Sequence, residues 1–249
     1  MTVSIVSHGH EEHVAALLAQ LAAAGGDTVA HVVLTHNLAA QAVALPPAGW
    51  PFRFTEVFNE RPAGFATNHN RAFAHCATPF FCVLNPDVEL TEPATLQRLL
   101  AAVQEPGVGC AYPVLLNPDG STQNEREVMT PASLFRRHVL RRPPRRVDWV
   151  NGAFMLVPQE VWRQVGGFDE RYFMYCEDTD FCLRLQLAGY RLARADARAL
   201  HDAAWGSRRD SRLFGWHVRS MLRLWATPAY RQYLARVRAG GSARQNARQ

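Results

Sequence analysis

The sequence contains no lysine, so arginine supplies all 27 of its basic side chains, against 22 acidic ones. The planar guanidinium group suits phosphate and carboxylate partners. A net charge of +5 leaves anionic ligands, acidic lipids and nucleic acid open as partners. The five cysteines are odd in number and include no CxxC pair, which argues against a disulfide framework and against a zinc site. We expect most of them to be small core side chains.

Long apolar runs are also missing from the chain. No stretch approaches the roughly 20 apolar residues that a membrane-spanning helix needs. The first residues lack the basic segment and apolar run of a signal peptide. We therefore expect a cytoplasmic protein in a reducing compartment. With 249 residues, 48% of them hydrophobic, the chain can bury the core of one sizeable domain.

Strand-like and helix-like segments alternate over the first hundred residues, which predicts an α/β protein with a parallel sheet. The predicted strands are 2–7, 29–34, 52–58 and 80–84, and the predicted helices are 11–24, 64–75 and 93–103. Further strands are predicted at 108–116, 150–157 and 190–194, and further helices at 158–165 and 177–189. We find no linker that would divide the chain into independent domains.

Two basic segments stand apart from this pattern. Residues 136–146 are rich in arginine and are expected to form an exposed loop; with little aromatic interleaving, this short charge run does not favour nucleic acid as a partner. Residues 213–238 form an amphipathic helical tail, and residues 239–249 are predicted to be disordered. The tail either packs on the domain's own core or rests on an anionic membrane surface, at the inner face of the plasma membrane.

The tripeptide Asn85–Pro86–Asp87 follows a predicted buried strand. In open α/β sheets, ligands bind beyond the carboxyl ends of the strands. An aspartate there can bind a hard cation that bridges a diphosphate, and a plain turn is the alternative. The same tripeptide recurs at 117–119, where the following Gly120 favours the turn.

Three carboxylates, those of Glu177, Asp178 and Asp180, crowd the start of a predicted helix. They can interact favourably with the helix dipole. Aromatic residues precede them, however, and a carboxyl group beside apolar rings can hold the raised pKa that a general base needs. The spacing leaves both interpretations open.

Several ordered pieces resemble one known family. FCVLNPDVEL, NPDGSTQ and VNGAFMLVP…VGGFDERYFMYCEDTDFCLRLQLAGY resemble the inverting family 2 glycosyltransferases, in their rhamnosyltransferase-like and galactofuranosyltransferase-like branch. NERPAGFATNHNRAF is similar to the donor-site segment of that family. The resemblance covers roughly residues 2–210. It implies a GT-A fold, with a Rossmann-like, mostly parallel central sheet flanked by helices and a smaller acceptor-side subregion.

The resemblance also implies a domain layout and a function. We expect a single domain over 1–212, with a nucleotide-sugar-binding half at 1–105 and an acceptor and catalytic half at 106–212. The expected activity is metal-assisted inverting transfer of a sugar, L-rhamnose from dTDP-L-rhamnose, to a hydroxyl of a glycan or lipid-linked acceptor. The alternative is a non-catalytic nucleotide-sugar-binding protein with a decayed transferase fold.

Residue roles follow from the same resemblance. Asp178 is expected to be the general base, with Glu177 and Asp180 orienting it or binding the acceptor. The expected ligands for Mg²⁺ or Mn²⁺ are Asp87, Asn85 and His201. The expected nucleotide-sugar contacts are Ser7, His8, Gly9, Asn37, Gly64, Asn70, Asn85 and Asp87, and the expected acceptor contacts are Trp149, Asn151 and Gly152.

The chain departs from the family pattern at three places. Asn85 stands where many relatives carry an aspartate. Ser7–His8–Gly9–His10 and Thr35–His36–Asn37 differ from the turns with which relatives contact the nucleotide. The base of the donor, uracil or thymine, is therefore left open.

Overall fold

A computed structural model describes residues 1–123, 126–128, 130, 133, 135, 139–140, 146–202 and 211–246. The strands are β1 (Thr2–Ser7), β2 (His31–His36), β3 (Arg53–Phe58), β4 (Phe80–Leu84), β5 (Val88–Leu90), β6 (Val108–Leu116), β7 (Phe154–Pro158) and β8 (Arg191–His201). The helices are α1 (Glu11–Ala24), α2 (Phe65–Phe73), α3 (Thr95–Val103), α4 (Gln159–Val165), α5 (Glu177–Leu187), α6 (Ser211–Ala226) and α7 (Pro228–Asn246).

The strands form one sheet in the order β3-β2-β1-β4-β7-β6-β8-β5. The first four strands along the chain run parallel, so their carboxyl ends meet at one edge, as predicted. The other half is mixed, because β7 is antiparallel to both β4 and β6, and β5 is antiparallel to β8. The predicted α/β class, with helices flanking a central sheet, is confirmed.

Strand β4 lies in the centre of the sheet and is covered on both faces. Cys82 and Leu84 belong to one buried apolar cluster, and Phe81 and Val83 belong to another. Successive side chains of a strand point to opposite faces, so the near-continuous apolar run is explained by burial on both sides. The segment that follows β4 is therefore anchored to a rigidly packed strand.

The predicted amphipathic tail is two helices rather than one. Proline has no backbone N–H and cannot continue a helix from within, and Pro228 begins α7 directly after α6 ends. The Thr227 hydroxyl caps the new helix by accepting the Tyr230 backbone N–H at 3.2 Å. Tyr233 on α7 is buried and packs in one apolar cluster with Leu183 of α5. The tail thus packs on its own domain, which was one of the two alternatives.

The predicted disorder of residues 239–249 needs correction for 239–246, which continue α7. An existing helix propagates one residue at a time, so α7 extends through Gly240 and Gly241 to residues of higher helix propensity, although glycine itself is a poor helix former. Residues 247–249, like 136–138 and 141–145 of the arginine-rich segment, lie outside the described residues.

The cysteines behave as expected: all five are free and buried. In the part of the chain that the structure describes, none of the helices combines the length and hydrophobicity needed to cross a membrane.

Candidate active site

Asn85, Pro86 and Asp87 connect β4 to the short strand β5. The Asn85 N–H donates to the Ala153 carbonyl at 2.8 Å, which fixes the tripeptide against the residues that lead into β7. Strand β5 pairs with the end of β8, where Val88 lies opposite His201. This pairing brings together Asp87 and His201, which are far apart in the sequence.

The Nε2 atom of His201 lies 3.5 Å from Oδ1 of Asp87. On the other side of the ring, Nδ1 is 2.8 Å from Oε1 of Gln123. The Gln123 amide nitrogen donates to the carbonyl of His201 and to Oδ1 of Asn117, both at 2.6 Å, which leaves Oε1 as the atom facing the ring. Nδ1 therefore carries the proton in the neutral ring, and Nε2 presents its lone pair to Asp87.

Two electron-rich atoms thus face each other in a partly buried place. Oδ1 of Asp87 is buried and has no hydrogen-bond partner among the described residues. Burial opposes ionisation of this carboxyl, but the hydrogen bond and positive charge that His201 supplies when Nε2 carries a proton, together with the Asp87 backbone N–H and His10, hold the pKa of Asp87 below its ordinary value. A cation beside Oδ1 would act in the same direction. A carboxylate oxygen and a neutral imidazole nitrogen suit a divalent cation such as Mn²⁺.

The two side chains do not make a complete metal site by themselves. Among the described residues, no group of three or more His, Cys, Asp or Glu side chains is placed to hold a metal ion. A cation here would need further oxygen ligands from outside the protein, as Mg²⁺ does when it binds through one or two carboxylates and substrate phosphates. Asn85, two residues before Asp87, is half-buried.

The carboxylate of Asp178 is held from two sides at the start of α5. Oδ2 accepts the Gly152 N–H at 3.1 Å, and Oδ1 accepts the Thr179 N–H at 2.6 Å. Burial raises the pKa of Asp178 above its ordinary value, against the opposing effect of these hydrogen bonds. A fixed carboxyl with a raised pKa matches the requirements for a general base.

The backbone directly before Asp178 adopts an unusual conformation. Tyr175 and Cys176 both have positive φ angles, of 70° and 67°, directly before α5. Such angles are strained for residues other than glycine, and they cluster at functional sites. Gly152 permits the close approach on the other side, since a Cβ atom there would lie 3.3 Å from the Asp178 Cβ.

The other two carboxylates of the cluster differ in their surroundings. Glu177 is buried, its Oε2 has no hydrogen-bond partner among the described residues, and burial next to Asp178 raises its pKa. Asp180 binds the Arg184 guanidinium at 2.7 Å, and Arg184 also donates to the carbonyls of Val165 and Gly167. Asp180 therefore anchors the turn that precedes α5.

Asp87 and Asp178 are linked through one short backbone segment. Ala153 accepts the N–H of Asn85, and its neighbour Gly152 donates to Asp178. The tripeptide at residues 85–87 and the candidate base are therefore held by adjacent residues. The structure brings Asn151 and Gly152 to this junction, and the Asn151 side chain accepts the Ala153 N–H at 2.9 Å.

Four of the eight residues expected to contact the nucleotide lie at the shared edge of β1 and β2: Ser7, His8, Gly9 and Asn37. Asn37 binds the Ser7 carbonyl through its N–H at 2.8 Å and His8 Nδ1 through its side chain at 3.1 Å. The Asn37 side chain also bonds to both the N–H and the carbonyl of Ala63. Gly9, with φ +81°, turns the chain beside them. The structure thus gathers this set around Asn37, and their contact with a nucleotide stays a prediction.

Gly64 and Asn70 lie on the side of the loop at residues 168–173. A Cβ atom on Gly64 would come within 2.7 Å of the Phe173 carbonyl oxygen, so this close approach requires glycine. The Asn70 side chain accepts the Phe168 N–H and donates to the Phe168 carbonyl, at 3.0 and 2.8 Å. With its amide engaged in this way, Asn70 ties α2 to the loop.

The indole ring of Trp149 packs against the guanidinium group of an arginine. The Arg126 guanidinium carbon stands 5.5 Å from the centre of the Trp149 ring, and the indole N–H donates to the Glu127 carbonyl at 3.3 Å. The charge of Arg126 lowers the pKa of Asp178, although burial of that carboxyl has the larger effect. Arg126 is thus a neighbour of the candidate base that the sequence did not identify.

Two further residues were missed. Gln123 ends the stretch NPDGSTQ, which carries part of the family resemblance, but its contact with His201 spans 78 residues and leaves no local signal of a role in the site. His217 of α6 packs against Tyr175 with ring centres 5.0 Å apart. Burial lowers the pKa of His217, and the charge of Asp178 opposes that shift, which indicates that α6 passes near the candidate base.

Comparison with sequence families gives one match over most of the chain: the family described as "Glycosyltransferase like family 2" matches residues 1–227. Rhamnosyltransferase WbbL of Escherichia coli is 48% identical over 94 residues, which are 37% of this chain and 32% of that protein. The N-acetylglucosaminyl-diphospho-decaprenol L-rhamnosyltransferase of Mycobacterium tuberculosis is 34% identical over 149 residues. This match covers 51% of the present chain and 48% of that protein. The matches thus span about a third and about a half of the lengths of these two relatives.

Solved structures show the same fold. The mannosyltransferase PcManGT from Pyrobaculum calidifontis, in complex with GDP-Man and Mn²⁺, aligns with a TM-score of 0.60 at 17% identity, over 96% of this chain and 74% of that one. Staphylococcus aureus TarS 1–349 in complex with UDP-GlcNAc aligns with a TM-score of 0.61 at 12% identity, over 94% and 71%. At such identities the likeness concerns the fold alone, and it confirms the GT-A architecture.

Proposed function

Since this chain belongs to the family 2-like glycosyltransferases, we propose that it transfers a sugar from a nucleotide-sugar to an acceptor hydroxyl. The link from Asn85 through Ala153 and Gly152 to Asp178 carries the proposal. These contacts hold Asp87, the proposed diphosphate side of the site, and Asp178, the proposed base, at a fixed separation. Transfer between two bound substrates depends on such fixed geometry.

The proposed donor is dTDP-L-rhamnose, with a UDP-sugar as the other candidate. Support comes from the two rhamnosyltransferases that match parts of the chain at 48% and 34% identity. The polar set around Asn37 at the edge of β1 and β2 is proposed to bind the nucleoside. Strand carboxyl ends are where open α/β sheets bind nucleotides.

A divalent cation, Mg²⁺ or Mn²⁺, is proposed to accompany the donor. Asp87 and His201 would hold it, with Asn85 as a further oxygen donor, and the unpartnered Oδ1 of Asp87 is the observation that fits this group. When bound, the cation would neutralise charge on the leaving nucleotide diphosphate. Gln123 accepts a hydrogen bond from the protonated Nδ1 of His201 and so favours the tautomer in which Nε2, the nitrogen facing Asp87, is free to bind a cation.

Asp178 is proposed to act as the general base. Its carboxylate takes the proton of the acceptor hydroxyl while that oxygen forms a bond to the anomeric carbon. The bond from the anomeric carbon to the diphosphate oxygen breaks, and the nucleoside diphosphate leaves with its electron pair. Attack on the face opposite the leaving group inverts the configuration. Gly152 and Thr179 hold Asp178 in place during this step.

The proposed acceptor is a lipid-linked glycan. One relative is named for a diphospho-decaprenol acceptor that carries N-acetylglucosamine. Trp149, with its indole beside Arg126, and Asn151 are proposed to contact the acceptor sugar. An indole ring can pack against the apolar face of a sugar while its neighbours supply hydrogen bonds.

A transfer assay tests this proposal. The protein is incubated with Mn²⁺, a lipid-diphosphate-linked N-acetylglucosamine and, in turn, dTDP-L-rhamnose, UDP-galactose and GDP-mannose, and the products are identified by mass spectrometry. We expect a rhamnosylated product from the dTDP donor alone. Transfer from another donor would correct the donor assignment. Donor binding without any transfer would favour the non-catalytic alternative.

A further inference from the structure

A basic hollow lies between α6 and the loop at residues 169–174. It encloses about 260 Å³, and an adjoining hollow of about 360 Å³ shares its three arginines. One water takes up ~30 Å³ in the liquid, so the space admits a group of several non-hydrogen atoms. Three arginines and two aromatic rings border the first hollow: Arg171, Arg219, Arg223, Phe173 and Trp216.

The arginines leave positive charge unmatched in this hollow. Arg171 binds Asp169 at 2.6 Å. Arg219 and Arg223 have no carboxylate partner among the described residues, and the Nε atom of Arg223 is buried without a hydrogen-bond partner there. These two arginines stand four residues apart on one helix, where like charges repel each other. A bound anion would offset this repulsion and give the buried N–H its acceptor.

Glu170 also borders the hollow, but its carboxylate is engaged elsewhere. One oxygen accepts the Asn70 side-chain N–H at 3.0 Å, and the other accepts the Thr67 hydroxyl at 3.2 Å. Both partners belong to α2. Glu170 therefore does not fill the space between the arginines of α6.

Exposed apolar side chains lie on the same helix. Phe214, Leu222 and Trp225 are 61%, 58% and 39% exposed. A helix with a charged hollow on one side and apolar side chains open to solvent on another fits an amphiphile, whose anionic head and hydrocarbon tail need both surfaces. The Ser220 hydroxyl donates to the Met174 carbonyl at 2.8 Å, which joins this helix to the loop that leads to Asp178.

We propose that Arg171, Arg219 and Arg223 bind the diphosphate of a polyprenyl-linked acceptor, an inference that rests on the proposed transfer to a lipid-linked glycan. Guanidinium groups bind phosphate oxygens in a bidentate manner, and several together suit a diphosphate. The apolar side chains of α6 lie beside the first isoprene units. This acceptor subsite is distinct from the Asp87 and His201 pair, which serves the diphosphate of the donor.

Binding of soluble probes tests the subsite without any need for catalysis. Farnesyl diphosphate supplies both head and tail, inorganic pyrophosphate the head alone, and farnesol the tail alone; each is titrated by calorimetry in EDTA. For the wild type we expect farnesyl diphosphate to bind most tightly. The double variant Arg219→Gln/Arg223→Gln should lose about tenfold or more of its affinity for both diphosphates and keep its affinity for farnesol. Arg53→Gln, on the distant edge strand β3, should bind like the wild type.

Binding of dTDP with Mn²⁺ to the same variants separates this proposal from the function on which it rests. Unchanged dTDP binding beside lost diphosphate binding supports a separate acceptor subsite. Equal loss of both would assign the arginines to the donor and overturn the proposal, as would undiminished binding of farnesyl diphosphate to the double variant. If the double variant does not fold, the single variant Arg219→Gln, at an exposed position, gives the same comparison. Diphosphate binding that depends on these arginines in a protein that transfers no sugar would contradict the proposed function alone.

Discussion

Oδ1 of Asp87 and Nε2 of His201 face each other at 3.5 Å, and Gln123 fixes the far side of the histidine ring. Two acceptor atoms at this distance repel unless a proton or a cation lies between them. The pairing of β5 with β8 imposes the arrangement, since these two strands deliver Asp87 and His201 to the same edge. The pairing of the strands therefore places Asp87 next to His201 without the help of a ligand.

Replacing Gln123 should weaken the proposed cation site, although Gln123 is not one of its proposed ligands. In Gln123→Met the His201 ring loses the acceptor that selects its tautomer, and residues that orient a metal ligand contribute about 10- to 100-fold in metal affinity. We expect the concentration of Mn²⁺ needed for half-maximal dTDP binding to rise by that factor. Gln97→Met, on α3, is the matched control. Unchanged Mn²⁺ dependence in Gln123→Met would remove Gln123 from the site.

Asp178→Asn should abolish transfer while the protein still folds and binds dTDP. The substitution keeps the shape of the side chain but removes the proton acceptor, and a positioned base contributes about 10²- to 10⁴-fold to the rate. Initial rates, circular dichroism and dTDP calorimetry measure the three properties separately. Asp119→Asn, in the exposed turn, should retain wild-type rates. Turnover near wild type in Asp178→Asn would rule out this residue as the base.

The rate of transfer should also decrease at low pH, and the raised pKa of Asp178 should set the pH at which this decrease begins. Burial raises the pKa of this carboxyl above its ordinary value of 3.8, and a base works only when ionised. As pH falls, kcat/KM should therefore begin to drop while an ordinary aspartate would still be fully ionised. A pH–rate profile with no acid limb above the ordinary range would contradict the assignment.

Glu177→Gln should stabilise the ligand-free protein at pH 8 and have little effect at pH 4. The folded protein raises the pKa of Glu177 by burial, so it binds this proton more tightly than the unfolded chain does. That contribution to stability is present below the unfolded pKa and is lost as pH rises through the folded one. Glutamine mimics the protonated form and avoids the loss, which amounts to roughly 1.4 kcal/mol per pKa unit.

Urea unfolding at the two pH values measures this effect. Glu89→Gln, an exposed carboxylate on β5, serves as the control and should change stability little at either pH. A Glu177→Gln variant that is less stable than wild type at pH 8 would show that the charged carboxylate is stabilised by a partner in the folded state.

The sequence alone predicts the helices and strands whose bounds are marked by a local pattern of residues. Strands 2–7, 80–84 and 108–116 and the helix at 11–24 were predicted at their observed bounds, because apolar periodicity and Gly–Gly or Asn–Pro signals mark them. The last strand was predicted to end at residue 194 and instead runs to His201. Its alternating small buried and charged exposed residues have the period of a strand, but arginine and aspartate masked the apolar half of that pattern.

The site could be predicted only in its residue types. Asp87, Asp178 and His201 were named from resemblance, but no local pattern shows that Gly152 and Ala153 join the first two or that Gln123 holds the third. Those contacts depend on strand order and on hydrogen bonds between distant residues. The basic hollow on α6 was missed for the same reason, since Arg171 and Arg223 come together only after folding.

The chain contains its own control for the central claim, because the tripeptide Asn–Pro–Asp occurs at both 85–87 and 117–119. Asp119 lies in an exposed turn, where its carboxylate accepts the N–H and hydroxyl of Ser121. The most direct measurement is calorimetry of dTDP binding, with Mn²⁺ and with EDTA, to the wild type, Asp87→Ala and Asp119→Ala. The account predicts Mn²⁺-dependent binding that Asp87→Ala loses and Asp119→Ala keeps. Equal binding by all three proteins, or binding of equal strength in EDTA, would contradict it.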